Sequence, residues 1–389
     1  MSELTDKRVI LIVDDTPANI EIAQSILEDE YRIRVATTGA KALELVKAKP
    51  VPALVLLDIE MPGMDGYEVC RQLKADAQTR DIPVIFLTGK TEAADETRGF
   101  KEGAVDYIHK PFSPDVMKAR INTHLVLREA REQLARQLLT INNELEMARE
   151  IQLSILPREP PKIKGLDIAA RYLPMSSVAG DFYDFIVVDE KHVGILVADV
   201  SGHGLPAALI ASMLQLALAA QFAHASDSAR VLGGLNKALC GKFRVHFVTA
   251  AYVFVDMEKN SMSYSAAGHP PLLLLHRSTG SASEVIENGL ILGHFPEETY
   301  SAVQVPVEPG DKVVLYTDGI LEATNSSEEM FGMNRLKQFI ETNYTLGSNE
   351  LSDALLDQLS LWIRQPGGRG QQDDITLLSL HLKITTDQF

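Results

Sequence analysis

Basic residues are in the minority in this sequence. The chain of 389 residues has 37 Lys and Arg against 53 Asp and Glu, which gives a formal net charge of −16. Proteins that bind DNA or anionic membranes usually present a basic patch to the phosphate groups. No segment offers a basic recognition helix either. We therefore expect no nucleic acid and no membrane among the partners.

Cysteines and long hydrophobic runs are also scarce. Cys70 and Cys240 are the two cysteines, far apart and without a metal-ligand pattern, which suits a reducing cytosol. Residues 204–222 approach the length of a membrane span, but their many alanines, Pro206 and Gln215 indicate a buried helix. The opening MSELTDKR lacks the features of a signal peptide, so we expect a cytoplasmic protein.

Apolar runs alternate with helix-period segments over residues 1–124, which predicts a doubly wound α/β domain with a five-stranded parallel sheet. Functional sites in such sheets lie at the carboxyl ends of the strands. Five polar residues fall there. They are Asp14 and Asp15 after the first strand, Asp58 at the end of the third, Thr88 at the end of the fourth and Lys110 after the fifth.

Three carboxylates at one sheet edge repel one another unless a cation lies between them, and oxygen ligands favour Mg²⁺. A carboxylate beside Mg²⁺ can attack a phosphoryl group in line. The metal and the Lys110 ammonium would neutralise the phosphoryl oxygens, and the Thr88 hydroxyl would donate to one of them. The pattern therefore predicts a magnesium-dependent phosphoryl acceptor.

The runs VDD at 13–15, LLDIEMPGMDG at 56–66, LT at 87–88 and KPF at 110–112 closely resemble the receiver domain of two-component response regulators. The resemblance implies that Asp58 accepts phosphate from a sensor histidine kinase or phosphotransfer protein. It implies that the backbone carbonyl of Glu60 joins Asp14 and Asp15 in holding Mg²⁺ at Asp58. It also implies that Tyr107 is the switch aromatic and that the bond before Pro111 is cis.

Residues 113–156 predict one long helix that links two domains. Apolar residues recur at spacings of four and three, with charged residues around them and Pro157 at the end. Polar Arg131 and Gln152 interrupt this seam. Two interpretations are open: a surface helix packed on a neighbouring domain, or a parallel coiled coil that pairs two chains. We favour the coiled coil, and with it a homodimer. The seam residues are Leu127, Leu134, Leu138, Ile141, Leu145, Ala148 and Ile155.

The sequence pattern changes in residues 162–389 to long apolar strands joined by hairpins. One hairpin is predicted to run out through 247–255 and back through 262–275. The pattern predicts an α+β domain of two stacked antiparallel sheets flanked by helices. Acids again lie at strand ends. They are Asp181, Asp199, Asp318 and Asp373.

No histidine or cysteine stands at ligand spacing near these four acids, so Mg²⁺ or Mn²⁺ is expected and Zn²⁺ is not. Two such ions that share a carboxylate would hold and acidify a water for attack on a phosphoester. Glycines beside the acids, among them Gly180 and Gly202, permit close backbone approach, so a peptide carbonyl can also be a ligand.

Six runs in this half together resemble a metal-dependent PPM-type serine/threonine phosphatase, in the bacterial branch of the sporulation and stress sigma-factor regulators. They are AGDFYD at 179–184, ADVSGHGLPAAL at 198–209, FVTAAY at 247–252, AAGHPPLLL at 266–274, YTDGILEA at 316–323 and QDDITLL at 372–378. The resemblance implies hydrolysis of phosphoserine or phosphothreonine on a partner protein, and an anti-sigma-factor antagonist as that partner.

The resemblance also implies a ligand set for two Mn²⁺ or Mg²⁺ ions. Asp199 bridges the ions and the Val200 carbonyl binds one; Asp318 and Asp373 hold the first ion, with Asp374 as the alternative to Asp373; Asp181 holds or orients the second. His203 either protonates the leaving oxygen or is a turn or surface histidine. His269 is interpreted as structural.

Two other functions compete with this interpretation of the second half. A diguanylate cyclase would need an acid where Phe182 stands and would leave Asp199, Asp318 and Asp373 unexplained. A non-catalytic phosphatase-like scaffold that binds an anti-sigma or antagonist protein under receiver control remains the alternative. We favour the enzyme, because packed carboxylates are costly to keep in an idle site.

Overall fold

The computed structural model describes residues 7–89, 93–363 and 371–383, with the backbone alone for residues 93–96. The first six residues of the opening MSELTDKR lie outside it. The chain divides into two compact units, Met1–Thr140 and Ile141–Phe389. Within the described part, no helix has the length and apolar character needed to cross a membrane.

The first unit contains a five-stranded parallel sheet with helices on both faces. Its strands are β1 Val9–Val13, β2 Arg32–Ala36, β3 Leu54–Asp58, β4 Val84–Thr88 and β5 Asp106–His109. Its helices are α1 Pro17–Leu27, α2 Gly39–Leu45, α3 Gly66–Ala75, α4 Ala93–Lys101 and the start of α5 Pro114–Ile155. The strand order is β2-β1-β3-β4-β5, which confirms the predicted doubly wound sheet.

Both faces of this sheet are buried, which explains its uninterrupted apolar strands. In β1, Leu11 and Val13 belong to the core on one face, whereas Ile10 and Ile12 belong to the core on the other. Side chains that alternate between two covered faces must all be apolar.

Helix α5 begins on this unit and continues far beyond the sheet. Met117, Ile121 and Leu125, one turn apart, are buried in the core beneath β1 and β3. After them the predicted seam begins. Leu127, Leu134 and Leu138 are 59%, 57% and 52% exposed in the single chain. Pairing of two chains along this seam stays a prediction.

The described residues of the second unit form eleven strands in two sheets. Its strands are β6 Leu166–Leu173, β7 Phe182–Val187, β8 His192–Val200, β9 Val248–Asp256, β10 Ser261–Ala267, β11 Leu272–Leu275, β12 Ala282–Val285, β13 Asn288–Gly289, β14 Val303–Pro306, β15 Lys312–Tyr316 and β16 Ile375–Leu382. Its helices are α6 Leu205–Ala219, α7 Ser228–Leu239, α8 Gly332–Thr342 and α9 Ser348–Ile363, with short 3₁₀ turns at Phe222–His224 and Asp318–Ile320.

The two sheets stack face to face, as predicted. One has the order β13-β10-β9-β8-β7 with β14 beside β10, and the other has the order β12-β11-β15-β16-β6. Val313 and Leu315 of β15 enter the core shared with the first sheet. Val314 and Tyr316 point to the opposite face, where α8 and α9 form a separate core. All pairings are antiparallel except the short one between β10 and β13.

The predicted return strand over residues 262–275 is wrong. The structure has two strands there: β10 pairs with β9 in the first sheet, whereas β11 pairs with β15 in the second. Gly268 adopts a left-handed φ of +66°, and Pro270 and Pro271 follow without backbone donors. The chain therefore leaves one sheet and enters the other at this point.

Candidate functional sites

The acids predicted for the first unit meet at one edge of the sheet. Asp14 and Asp15 follow β1, and Asp58 ends the neighbouring strand β3. Each of the three carboxylates offers an oxygen, and these oxygens all lie within 4.8 Å of one another. Asp14 and Asp58 are buried and Asp15 is exposed. A group of this kind is suited to a hard cation reached from solvent.

Lys110 contacts two carboxylates of this group. Its Nζ is 2.7 Å from Asp14 Oδ2 and 3.0 Å from Asp58 Oδ2. Burial alone would lower the pKa of Lys110, but the bonds to Asp14 and Asp58 outweigh it and raise that pKa. Burial raises the pKa of Asp58, opposed by its hydrogen bond with Lys110. One ammonium among three carboxylates leaves negative charge that Mg²⁺ would offset, so the donor set fits the predicted ion.

A cavity of about 680 Å³ opens beside Asp58, and its lining includes Glu60, Thr88 and Lys110. Tyr107 is buried, with its ring centroid 5.6 Å from that of Phe86. The bond between Lys110 and Pro111 is cis, which confirms that prediction.

In the second unit, Asp181 is held between two hydroxyl groups. The hydroxyls of Thr317, which follows β15, and Thr376 on β16 both donate to Asp181 Oδ2, at 2.8 Å and 2.6 Å. Asp181 itself is 2% exposed. Its carboxylate is therefore fixed by strands of the second sheet just before β7 of the first sheet begins.

The residues before Asp181 are held from two further sides. Gln152, near the end of α5, donates from Nε2 to the Ala179 carbonyl at 2.6 Å and accepts from the Ala179 N–H at 3.0 Å. The Gly180 N–H donates to Asp374 Oδ2 at 2.7 Å, and the Met175 N–H donates to Asp374 Oδ1 at 2.7 Å. Asp374 thus uses both oxygens to position this loop.

Close packing explains why residue 180 is a glycine. A Cβ built there would lie 2.7 Å from the backbone oxygen of Val200, the carbonyl predicted as a metal ligand. Only glycine lets the loop approach that carbonyl so closely.

The acids of this unit influence one another through their charges. Burial, followed by repulsion from Asp318 and Asp373, raises the pKa of Asp199 to about 7. Burial and then Asp373 raise the pKa of Asp318 to about 6. Burial and then the charge of Asp199 raise the pKa of Asp181 well above its usual value. Carboxylates that repel in this way fit a site that binds divalent cations.

The geometry does not by itself select the ligands. In the described part of the chain, no three acids, histidines or cysteines of this unit bring ligand atoms within 4.8 Å of one another. Sequence reasoning also missed Glu322, whose charge raises the pKa of both Asp199 and Asp318. The run YTDGILEA contains this acid four residues after Asp318, which was the available signal. The individual ligands stay predictions.

The histidines differ in environment. His269 is buried between the sheets, with Nδ1 2.9 Å from Thr249 Oγ1 and Nε2 3.0 Å from the Tyr316 carbonyl. His203 is exposed in the loop after Asp199. His246, which sequence reasoning missed, lies against the same loop, with Nδ1 2.7 Å from the Ser201 carbonyl.

The fold and these two sites define a class: a receiver domain followed by a PPM-type phosphatase domain. The sequence model of the response regulator receiver domain matches residues 10–122, and that of Stage II sporulation protein E (SpoIIE) matches residues 189–383, half of the chain. The chain belongs to the SpoIIE family and carries a receiver domain. Phosphatases of the PPM type depend on metal ions, and a receiver domain implies a phosphodonor partner.

Individual relatives resemble parts of the chain. It is 29% identical to phosphoserine phosphatase RsbU of Bacillus subtilis over 246 residues, which is 63% of this chain and 71% of RsbU. It is 49% identical to a probable cyclic di-GMP phosphodiesterase of Vibrio cholerae over 128 residues, 33% of this chain and only 29% of that relative. The solved SiaA-PP2C domain of Pseudomonas aeruginosa superposes with a TM-score of 0.56 at 25% identity, covering 64% of this chain and all of that domain.

Proposed function

We propose that the second unit hydrolyses phosphoserine or phosphothreonine on a partner protein and that the receiver domain controls this activity. The observation that carries the proposal is the set of half-buried and buried acids around Asp199, where burial and then repulsion from Asp318 and Asp373 raise the pKa of Asp199 to about 7. An apolar or idle interface would not keep these charges together.

Two Mn²⁺ or Mg²⁺ ions would be held by Asp199, the Val200 carbonyl, Asp318, Asp373 and Asp181. Asp374 would continue to hold the loop before Asp181. When bound, the ions would lower the pKa of a water molecule and offset the charge of the phosphate. Without cations these carboxylates repel one another, so bound cations would stabilise the group.

Side chains of the protein would take part in the remaining steps of the reaction. The water oxygen forms a bond to phosphorus while the bond between phosphorus and the serine or threonine oxygen breaks. The water gives up a proton, and the leaving oxygen takes one. His203 is the candidate donor, since it is exposed in the loop that follows Asp199. Thr317 and Thr376 keep Asp181 in one orientation throughout.

The input proposed for the first unit is phosphorylation of Asp58 by a sensor histidine kinase or phosphotransfer protein. Asp14, Asp15 and the Glu60 carbonyl would hold Mg²⁺ there. An Asp58 oxygen would attack the phosphoryl group and the bond to the donor would break, while Lys110 and Thr88 contact the phosphoryl oxygens. Displacement of Thr88 and Tyr107 would then alter how the domain packs on α5.

The partner proposed as substrate is an anti-sigma-factor antagonist, on the strength of the resemblance to the sporulation and stress regulators. A homodimer through α5 would cover the exposed leucines of its seam. A cytoplasmic location is proposed because Cys70 and Cys240 are unpaired and suit a reducing compartment.

The direct test is phosphate release from a phosphoserine peptide by protein stripped of metal with EDTA and then titrated with Mn²⁺. We expect turnover that depends on Mn²⁺ and is lost in Asp199→Ala. Binding of the peptide without turnover at any Mn²⁺ concentration would favour the non-catalytic scaffold instead. Equal turnover by wild type and Asp199→Ala would refute the assignment of the site.

A further inference from the structure

A second cation, besides Lys110, lines the cavity beside Asp58. Arg98 on α4 is exposed, and its guanidinium carbon is 4.2 Å from the centroid of the Tyr67 ring. Arg98 and Tyr67 both line the cavity that contains Asp58, Thr88 and Lys110. Of the described residues in this lining, Arg98 and Lys110 are the cations.

The two cations differ in how they are engaged. The Lys110 ammonium already contacts the carboxylates of Asp14 and Asp58, at 2.7 Å and 3.0 Å. The Arg98 guanidinium lies instead on the neutral face of the Tyr67 ring. This cation–π attraction is weaker than charge-assisted hydrogen bonds. A guanidinium in this position can exchange its partner when a stronger one appears.

Phosphorylation would supply that partner. The phosphoryl group adds negative charge and three strong acceptor oxygens at an edge already occupied by Asp14 and Asp15. These oxygens offer more acceptor positions than Mg²⁺, the Lys110 ammonium and the Thr88 hydroxyl would fill. The planar guanidinium has paired N–H donors that match two phosphoryl oxygens at once.

We propose that Arg98 is a phosphoryl-binding residue of this receiver. When Asp58 is phosphorylated, the Arg98 guanidinium moves off the Tyr67 ring and contacts the phosphoryl group. The proposal rests on Asp58 being the phosphoryl acceptor. It also links the phosphoryl group directly to α4, because Phe100 of the same helix contacts the Tyr107 ring, with centroids 5.2 Å apart.

Beryllium trifluoride tests this proposal, because a carboxylate oxygen coordinates its beryllium and the resulting tetrahedral group has the shape and charge of a phosphoryl group on aspartate. Its dissociation constant is measured by calorimetry on the full chain at saturating Mg²⁺, and the Mg²⁺ constant is measured separately. We expect Arg98→Ala to weaken trifluoride binding about tenfold and leave Mg²⁺ binding within twofold. Arg98→Lys, which keeps the charge without the paired donors, is expected to weaken it about threefold.

Lys101→Ala is the matched control, because Lys101 is an exposed cation on the same helix and is not part of the cavity lining. It is expected to bind the trifluoride as wild type does. Trifluoride binding by Arg98→Ala within twofold of wild type would overturn the role of Arg98, as would an equal loss of Mg²⁺ affinity. Undiminished binding by Asp58→Asn would instead overturn Asp58 as the acceptor.

Discussion

The side-chain amide of Gln152 pairs with both backbone groups of Ala179, accepting from its N–H at 3.0 Å and donating to its carbonyl at 2.6 Å. Gln152 is 6% exposed and lies near the end of the long helix α5. Ala179 stands two residues before Asp181. The C-terminal end of α5 is therefore joined to the loop before Asp181 by two buried hydrogen bonds.

Replacing Gln152 with Ala should leave the N–H and carbonyl of Ala179 without these partners. Buried unsatisfied groups are costly, so we expect the free energy of unfolding to fall by about 2 kcal/mol. We also expect phosphopeptide hydrolysis to fall about tenfold, because the loop that carries Asp181 loses one of its supports. Urea unfolding and initial rates measure the two effects. Gln137→Ala, at an exposed position on the same helix, should change neither.

Replacing Asp58 with Ala should abolish phosphorylation of the receiver domain. Mass spectrometry after incubation with acetyl phosphate and Mg²⁺ should find an added phosphoryl group on wild type and on the control Asp81→Asn. Asp81 has an exposed carboxylate, with a side-chain exposure of 69%. Basal phosphopeptide hydrolysis by Asp58→Ala should equal that of wild type. A phosphoryl group retained by Asp58→Ala would move the acceptor to another residue.

His269 should make the second unit sensitive to acid. Burial lowers the pKa of His269 to about 4, from 6.5 for an ordinary histidine. The unfolded chain therefore takes up the proton first, and stability that is complete above pH 6.5 is lost as the pH falls towards 4. From pH 7.5 to pH 5 the loss amounts to about 2 kcal/mol. Urea unfolding of wild type and His269→Gln at both pH values isolates this contribution, and an identical pH dependence of the two proteins would contradict it.

Asp199 should destabilise the protein when divalent ions are removed. Its pKa is raised from 3.8 to about 7, so the ionised carboxylate disfavours the folded state and stability falls as the pH rises through this range. At pH 8 in EDTA, Asp199→Asn should be more stable than wild type by about 2 kcal/mol. Adding Mn²⁺ should raise the melting temperature of wild type and have little effect on that of the variant. A variant less stable than wild type in EDTA would show that Asp199 is not repelled by its neighbours.

The sequence predicts the first unit better than the second, for physical reasons. Parallel strands buried on both faces are continuous apolar runs, and β1, with its following acids, is visible directly in the residues. The prediction of one return strand after β9 is wrong because β10 and β11 are both apolar and are separated only by a turn at Gly268. Apolar character does not reveal which of two sheets a strand joins.

The supports of the second site depend on tertiary contacts that periodicity cannot reveal. Gln152 was visible as a polar interruption of the helical seam, but its partner Ala179 is 27 residues away. Thr317 and Thr376 stand beside predicted acids, and only the pairing of β15 with β16 brings both hydroxyls to Asp181.

The central claim is that acids from two sheets form a metal-dependent phosphatase site around Asp199. It is tested most directly by measuring Mn²⁺ binding by calorimetry and phosphoserine-peptide hydrolysis on the same samples of wild type, Asp199→Asn and Asp184→Asn. Asp184 is a partly buried acid on β7 whose pKa is raised by burial, and it serves as the control. We predict that Asp199→Asn loses Mn²⁺ affinity and hydrolysis together, whereas Asp184→Asn keeps both. Wild-type Mn²⁺ affinity and turnover in Asp199→Asn would contradict the claim.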